Sequence, residues 1–305
     1  MRGTGRPSKR HHGDWLEGLN MIGEPDQGAT EPRRGFPIRA ADLADIPGIA
    51  AVSQAAGQQD ADSGADGAYV ELLLQTASVR VVEEPRTGAV IAWGAVRSGP
   101  LGSMLTDLFV DPDHHGRGVG GALLRALWPD RTAPGRFTFS SQHASALPLY
   151  VRAGLQPSWP LLYLTGPSAL PPLARMDVER VDAAVASDVD AQLVSGDRSA
   201  DYAYWTRSGS GRAIVVHDGE RTTAAGVLRG GNLIHLTCGE SDADTALTAA
   251  LRASETANVT LCLPGRHPSL ISLLRAGYRI VDYDLAMSTP DLTLPVAWAY
   301  SPGLG

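Results

Sequence analysis

Apolar positions along this chain alternate between two periods. From Phe36 a short apolar run to Arg39 reads as a strand, and Leu43, Ile46, Ile49 and Val52 then recur at helical spacing across 41–56. A polar break at 58–67 precedes a helical turn over 69–75. Residues 79–83 and 89–97 alternate with period two around Pro85-Arg-Thr-Gly88, the pattern of a β-hairpin. A strand at 105–110 runs into a glycine-rich turn and a helix. Residues 136–140 then read as a strand, the segment bearing Tyr150 as a helix, and 161–164 as a closing strand. Gly166-Pro-Ser-Ala-Leu-Pro-Pro172 has the composition of a linker.

The turn after residue 110 carries the most chemistry. Leu105, Leu108 and Val110 form the strand, Pro112 ends it, and Gly116, Gly118, Gly120 and Gly121 remove the Cβ atoms that would hold a ligand off the backbone. Val119, Leu123, Leu124 and Leu127 give the helix a buried stripe, which Pro129 stops. The first N–H groups of a helix lack internal partners and carry its positive dipole end, worth roughly 0.3–2 kcal/mol to an anion. Many glycine-rich turns bind nothing, so the neighbours decide. A dinucleotide fold needs an acidic residue about 20 positions on. A P-loop needs Gly-Lys-Ser/Thr, and here Gly121-Ala-Leu stands instead.

The segment resembles the acyl-CoA binding motif of the GNAT superfamily of N-acyltransferases, Q/R-x-x-G-x-G/A after a strand ending in x-V-x-P. The match is His115-Gly-Arg-Gly118-Val-Gly120 preceded by Val110-Asp-Pro112, with His115 where Gln or Arg is usual. A second element of that family, N-x-x-A-x-x-x-Y-x-x-x-G-F, is met by His143-Ala-Ser-Ala146-Leu-Pro-Leu-Tyr150-Val-Arg-Ala-Gly154-Leu, with His143 for Asn and Leu155 for Phe.

The resemblance implies an α+β fold with a twisted mixed sheet flanked by helices, and acetyl-CoA or another acyl-CoA as co-substrate. Pyrophosphate contacts would fall on the amides of His115, Gly116, Arg117, Gly118, Val119 and Gly120, with Gly121 and His143 beside the coenzyme. The thioester carbonyl would bond to the amide of Phe109 or Val110. Tyr150 matches the residue that protonates the departing thiolate; the alternative is packing on the pantetheine arm. Asp107 is the candidate base, because alternation places it with Phe109 on one strand face while Leu108 and Val110 take the other. A capping or ion-paired Asp107 is the competing reading. His143 is expected to cap the helix that follows or to bond the turn.

The second half repeats this plan: Val79-Arg-Val-Val and Ala92-Trp-Gly94-Ala-Val-Arg97 align with Ala213-Ile-Val-Val and Ala224-Ala-Gly226-Val-Leu-Arg229, and Gly154 aligns with Gly277. Where the phosphate turn belongs, the second copy has Leu236-Thr-Cys-Gly-Glu-Ser-Asp-Ala-Asp-Thr245, whose carboxylates repel a pyrophosphate, and Leu273 replaces Tyr150. The expected organisation is a basic disordered tail at 1–35, a GNAT domain at 36–166, a linker at 167–174, a degenerate second copy at 175–291 and a tail at 292–305.

Composition narrows the remaining choices. Of the 305 residues 43% are hydrophobic and 19% charged, with no apolar run of membrane-spanning length. A net charge of −7 argues against general nucleic-acid binding. Cys238 and Cys262 are too few for a disulfide scaffold and read as buried free thiols. His114 and His115 lack further metal ligands at usable spacing, so no metal is expected. Glu83 and Glu84 sit at a hairpin turn and read as solvated. Tyr202, Tyr204 and Trp205 either wall an acceptor pocket or pack in the core. The reading is a cytoplasmic monomer or homodimer that acylates a primary amine of a small molecule. A non-catalytic acyl-CoA binder and a transferase using a carrier-protein or aminoacyl-tRNA donor stand as alternatives.

Overall fold

The computed structural model describes residues 36–58, 63–130, 132–171, 176–209 and 211–305. The expected basic tail, part of the 58–67 break and the last residues of the expected linker lie outside them. Residues 36–305 form one compact unit.

Twelve strands make a single sheet in the order β1-β2-β3-β4-β5-β12-β6-β11-β10-β9-β8-β7. The first half contributes β1 (Ile38–Ala40), β2 (Ser78–Glu83), β3 (Val90–Gly99), β4 (Gly102–Val110), β5 (Arg136–Ser140) and β6 (Gln156–Pro167). The second contributes β7 (Asp177–Val181), β8 (Gly211–Asp218), β9 (Arg221–Arg229), β10 (Asn232–Cys238), β11 (Asn258–Pro264) and β12 (Arg279–Ser288). Only β4–β5 and β10–β11 are parallel. The order is symmetric about its centre. The final strand of each half lies in the other's sheet: β12 pairs with β5 through Leu285↔Ser140, and β6 pairs with β11 through Leu164↔Leu261.

Helices α1 (Ile46–Ala55) and α2 (Gly67–Thr76) cover one face of the first half, and α3 (Val119–Leu127) and α4 (Ala146–Arg152) cover the other. In the second half α5 (Ala183–Val194) and α6 (Ser199–Thr206) share the core of α1 and α2, while α7 (Ala243–Arg252) and α8 (Leu270–Arg275) pack on the opposite face. The helix expected at 41–56 begins later, because Asp42 caps a short 3-10 turn and Pro47 stands in the first turn of α1. The helical turn expected at 69–75 is a full helix started by Asp66, whose carboxylate accepts from the Ala68 amide.

Three expectations about the ends of the elements and the segments beyond them need correction. The closing strand of the first half is longer than 161–164, since it gains partners on both sides, β11 and β12. The segment 292–305 is no loose tail: Leu294, Ala297, Trp298, Ala299, Tyr300 and Leu304 are each 5% exposed or less. Its apolar residues follow neither a helical nor a strand period, so only packing against the rest of the molecule reveals them. The first residues of the expected linker are also fixed, with Leu170 buried and its carbonyl accepting from Arg252.

Candidate active site and its degenerate twin

Strands β4 and β5 pair only at Ser103↔Arg136, Met104↔Phe137 and Leu105↔Thr138, and then part. Beyond Leu105 the register of β4 against β3 determines which amides face the gap. The Asp111 amide donates to the Ile91 carbonyl at 2.8 Å, so the paired positions Phe109↔Trp93 and Asp107↔Ala95 also direct their N–H groups at β3. Leu108 and Val110 turn theirs to the gap. Of the two amides the resemblance offers for the thioester, Phe109 is thus spent on the sheet and Val110 is available. The Val110 carbonyl, on the same side, accepts from His115 Nε2 at 2.9 Å.

The turn that follows has the form an anion needs. Gly116 and Gly118 have φ of 75° and 80°, and a Cβ at either would meet nothing within 4 Å. Among the described residues the amides of Gly116, Arg117 and Gly118 have no hydrogen-bond partner. Gly118 caps α3, whose first amides point the same way. Gly120 and Gly121 lie against Leu149, where larger side chains would press on α4. The Val119 side chain is buried, leaving its backbone for any ligand. Arg117 and His115 are exposed, and the His115 ring meets His143 edge-on at 5.8 Å. His143 accepts from the Ser145 amide at 3.4 Å just before α4. His114 is held by Glu84 at 3.1 Å, and among the described residues no group of three or more metal-ligand side chains stands together.

Strand alternation places Asp107 and Phe109 as anticipated: Phe109 meets Trp93 at 5.9 Å in the α1–α2 core, and Leu108 and Val110 pack toward α3. A bulge at Thr106 breaks the alternation upstream, which puts Leu105 on the α3 side although it shares parity with Asp107. The Asp107 carboxylate is 8% exposed and accepts from the Tyr69 hydroxyl at 2.8 Å. Burial pushes its pKa up to about 6, against the opposing hydrogen bonds from Tyr69 and Thr106. Tyr150 is also buried. Its pKa is raised, by burial first and then by the charges of Asp107 and Asp284, so it stays protonated. Asp284 arrives on the exchanged strand β12 and accepts from the Tyr163 hydroxyl at 2.7 Å.

The second half rebuilds the same frame with different contents. A bulge again precedes the key position: His235 lies opposite Val227 as Asp107 lies opposite Ala95, and Leu236 lies opposite Gly226 as Leu108 lies opposite Gly94. The two glycines share a physical cause, since a Cβ at Gly94 would sit 2.8 Å from the Asp107 carbonyl and one at Gly226 2.3 Å from that of His235. His235 contacts Asp190 at 3.2 Å, and Asp190 also accepts from Tyr202 at 2.9 Å. Burial lowers the His235 pKa. Tyr202, Tyr204 and Trp205 are buried, which makes them core residues.

The gap between β10 and β11 is filled by the chain itself. Leu236 and Ala299 exchange two backbone hydrogen bonds at 3.0 Å, the Tyr300 amide donates to the Cys262 carbonyl at 3.0 Å, and the Trp298 indole donates to the Cys238 carbonyl at 3.1 Å. At the start of α7, Asp242 is clamped by Arg221 through two 2.8 Å bonds in place of a phosphate turn. Cys238 is buried and Cys262 half-buried, both as free thiols.

Sequence reasoning left Tyr69, Asp284, the His235–Asp190 pair and segment 292–305 without roles. For His235 a signal existed, because Gly226 aligns with Gly94. The turns after β3 and β9 differ in length and hide the correspondence of the following strands.

The arrangement is that of the GNAT fold. A Pyrococcus horikoshii protein assigned as an acetyltransferase matches 91% of this chain and 97% of its own, at TM-score 0.66 and 14% identity. A GCN5-related N-acetyltransferase from Anabaena variabilis matches 83% of this chain and 72% of its own, at TM-score 0.59 and 15% identity. A tandem GNAT protein from the clavulanic acid biosynthesis pathway matches 86% of this chain and 100% of its own, at TM-score 0.55 and 14% identity. No curated protein sequence matches the chain. The family model described as acetyltransferase (GNAT) domain matches residues 75–156. The matched residues contain β3, β4, the glycine turn and Tyr150, so the GNAT acetyltransferase domain match falls on the candidate site of the first half.

Proposed function

We propose that the protein is an acyl-CoA dependent N-acyltransferase that moves acetyl from acetyl-CoA to the primary amine of a small molecule by direct attack. One observation carries this reading. The open glycine turn with its unpartnered amides adjoins a strand gap that has the Val110 amide on its β4 wall, with Asp107 and Tyr150 close by, and the twin gap is filled and faces carboxylates.

In this reading the diphosphate of the coenzyme docks on the amides of 116–120, the His115 amide being spent on the Pro112 carbonyl at 3.1 Å, and the Val110 N–H polarises the thioester carbonyl. A fixed donor of this kind contributes about 10²- to 10³-fold. The amine nitrogen attacks the carbonyl carbon, the C–S bond breaks, and the proton lost by the nitrogen passes to Asp107. Tyr150 delivers its proton to the departing thiolate. A carboxylate held near pH 6 by burial is ionised at neutral pH yet basic enough to accept that proton.

Calorimetry with acetyl-CoA should give one site per chain, lost in Gly118→Glu, and thiol release with a panel of primary amines should identify acceptors. Absence of binding by the parent protein overturns the proposal, and binding without turnover on any amine would point to a sensor.

A further inference from the structure

Segment 292–305 does more than fill the second gap. After pairing with β10 and β11 through Ala299 and Tyr300 it continues into the first half, where Leu304 is buried among the residues around Tyr69 and Trp205. The Gly303 carbonyl lies 3.1 Å from the Tyr69 hydroxyl, which also lies 2.8 Å from Asp107 Oδ2. Tyr69 has one hydroxyl proton and two acceptors. When Asp107 is ionised the proton belongs to the carboxylate and the Gly303 carbonyl goes without. When Asp107 is protonated it donates to the Tyr69 oxygen, Tyr69 donates to Gly303, and every group is satisfied.

We propose that Tyr69 is a positioning residue for Asp107, and that segment 292–305 brings the Gly303 carbonyl into competition for the Tyr69 proton and so tunes the basicity of Asp107. This rests on the reading of Asp107 as proton acceptor. It makes the second half a contributor to the first half's site, with the filled twin gap as the anchor that holds the segment in place.

The other groups around Asp107 do not supply an alternative switch. Thr106 lies on its own strand and Tyr150 comes from α4 with Asp284 of β12 behind it. From α6, Tyr204 packs on Tyr69 at 6.2 Å and donates to Asp66, which also pairs with Arg207. Arg97 is held by Asp201 and Arg198 by the Gly305 carbonyl. Burial and a neighbouring carboxylate keep Tyr69 protonated, so it acts as a donor throughout.

The test follows Asp107 directly by carboxyl ¹³C NMR of the full chain, assigned with Asp107→Asn, alongside the pH profile of kcat/KM. Tyr69→Phe removes the bond that favours the carboxylate, and Asp107 should titrate about 0.5–1 pH unit higher. Leu304→Gln lifts the segment end, leaves the Tyr69 proton to Asp107 alone and admits water, and the titration should fall by a similar amount. Leu304→Ala replaces it if the polar variant does not fold. Unchanged titration in the two variants, or shifts of the same sign, would overturn the proposal. If the NMR shifts are opposite but the pH profile ignores them, the coupling stands and Asp107 is not the base.

Discussion

At the scale of single residues, a carboxylate beside the candidate site is kept in an unfavourable place. Burial holds the Asp107 pKa near 6, against an ordinary value of 3.8. Its protonated form is the one the fold prefers, so the stability linked to it is complete below about pH 4 and is lost as pH rises through 6. The difference amounts to about 3 kcal/mol at most. Asp107→Asn should therefore match the parent in urea denaturation at pH 4 and exceed it by about 1–3 kcal/mol at pH 8, while losing on the order of 10²- to 10⁴-fold in kcat/KM. Tyr150→Phe should cost at most about 10²-fold, because a thiolate already leaves readily near neutral pH. The strand face that Asp107 shares with Phe109 was legible from alternation. The partner of Asp107, Tyr69, was not, because a tyrosine in a short apolar helix reads as core until the opposing strand is in place.

Individual elements show how local chemistry and distant support divide the work. The turn into α3 is written in the sequence, since glycines at positive φ and an amphipathic stripe need no tertiary information. Gly118→Ala should cost about 1–2 kcal/mol for a left-handed alanine and, with its Cβ directed into the open cradle, weaken acetyl-CoA binding in calorimetry. The gap between β4 and β5 is less local. Past Leu105↔Thr138 β4 leaves β5, while β5 stays paired through Ser140 with β12, a strand far away in sequence, and β10 likewise leaves β11 past Leu233↔Leu261 while β11 stays paired with β6. Identical frames then meet opposite fates: one adjoins an unpartnered glycine turn, and the other holds its own chain at Ala299 and Tyr300.

For the whole molecule, exchange of the last strands and a shared core make the halves interdependent. Arg97 on β3 meets Asp201 on α6 at 2.7 Å with the two side chains nearly buried, and Tyr204 of α6 reaches Asp66 at the start of α2. Removing one partner of a buried pair leaves the other charge uncompensated, so Asp201→Ala should destabilise the protein by about 3–5 kcal/mol in urea denaturation. Circular dichroism and tryptophan fluorescence should report one coincident unfolding transition, and two separated transitions would show that the halves fold independently. Among the described residues no helix is long and apolar enough to cross a membrane.

The sequence by itself determined the alternation of strands and helices, the glycine-rich turn, the repeat and the loss of that turn in the second copy. All of these are short-range: periodicity, glycine conformations and charge at a helix start act over a few residues. Tertiary structure alone decided which strands exchange, that 292–305 is core, that Val110 and not Phe109 turns its amide to the gap, and that Asp107 shares a proton with Tyr69 near Gly303. Those outcomes depend on register and on contacts between residues hundreds of positions apart, where burial and hydrogen-bond satisfaction are settled by the assembled sheet and not by any stretch of chain.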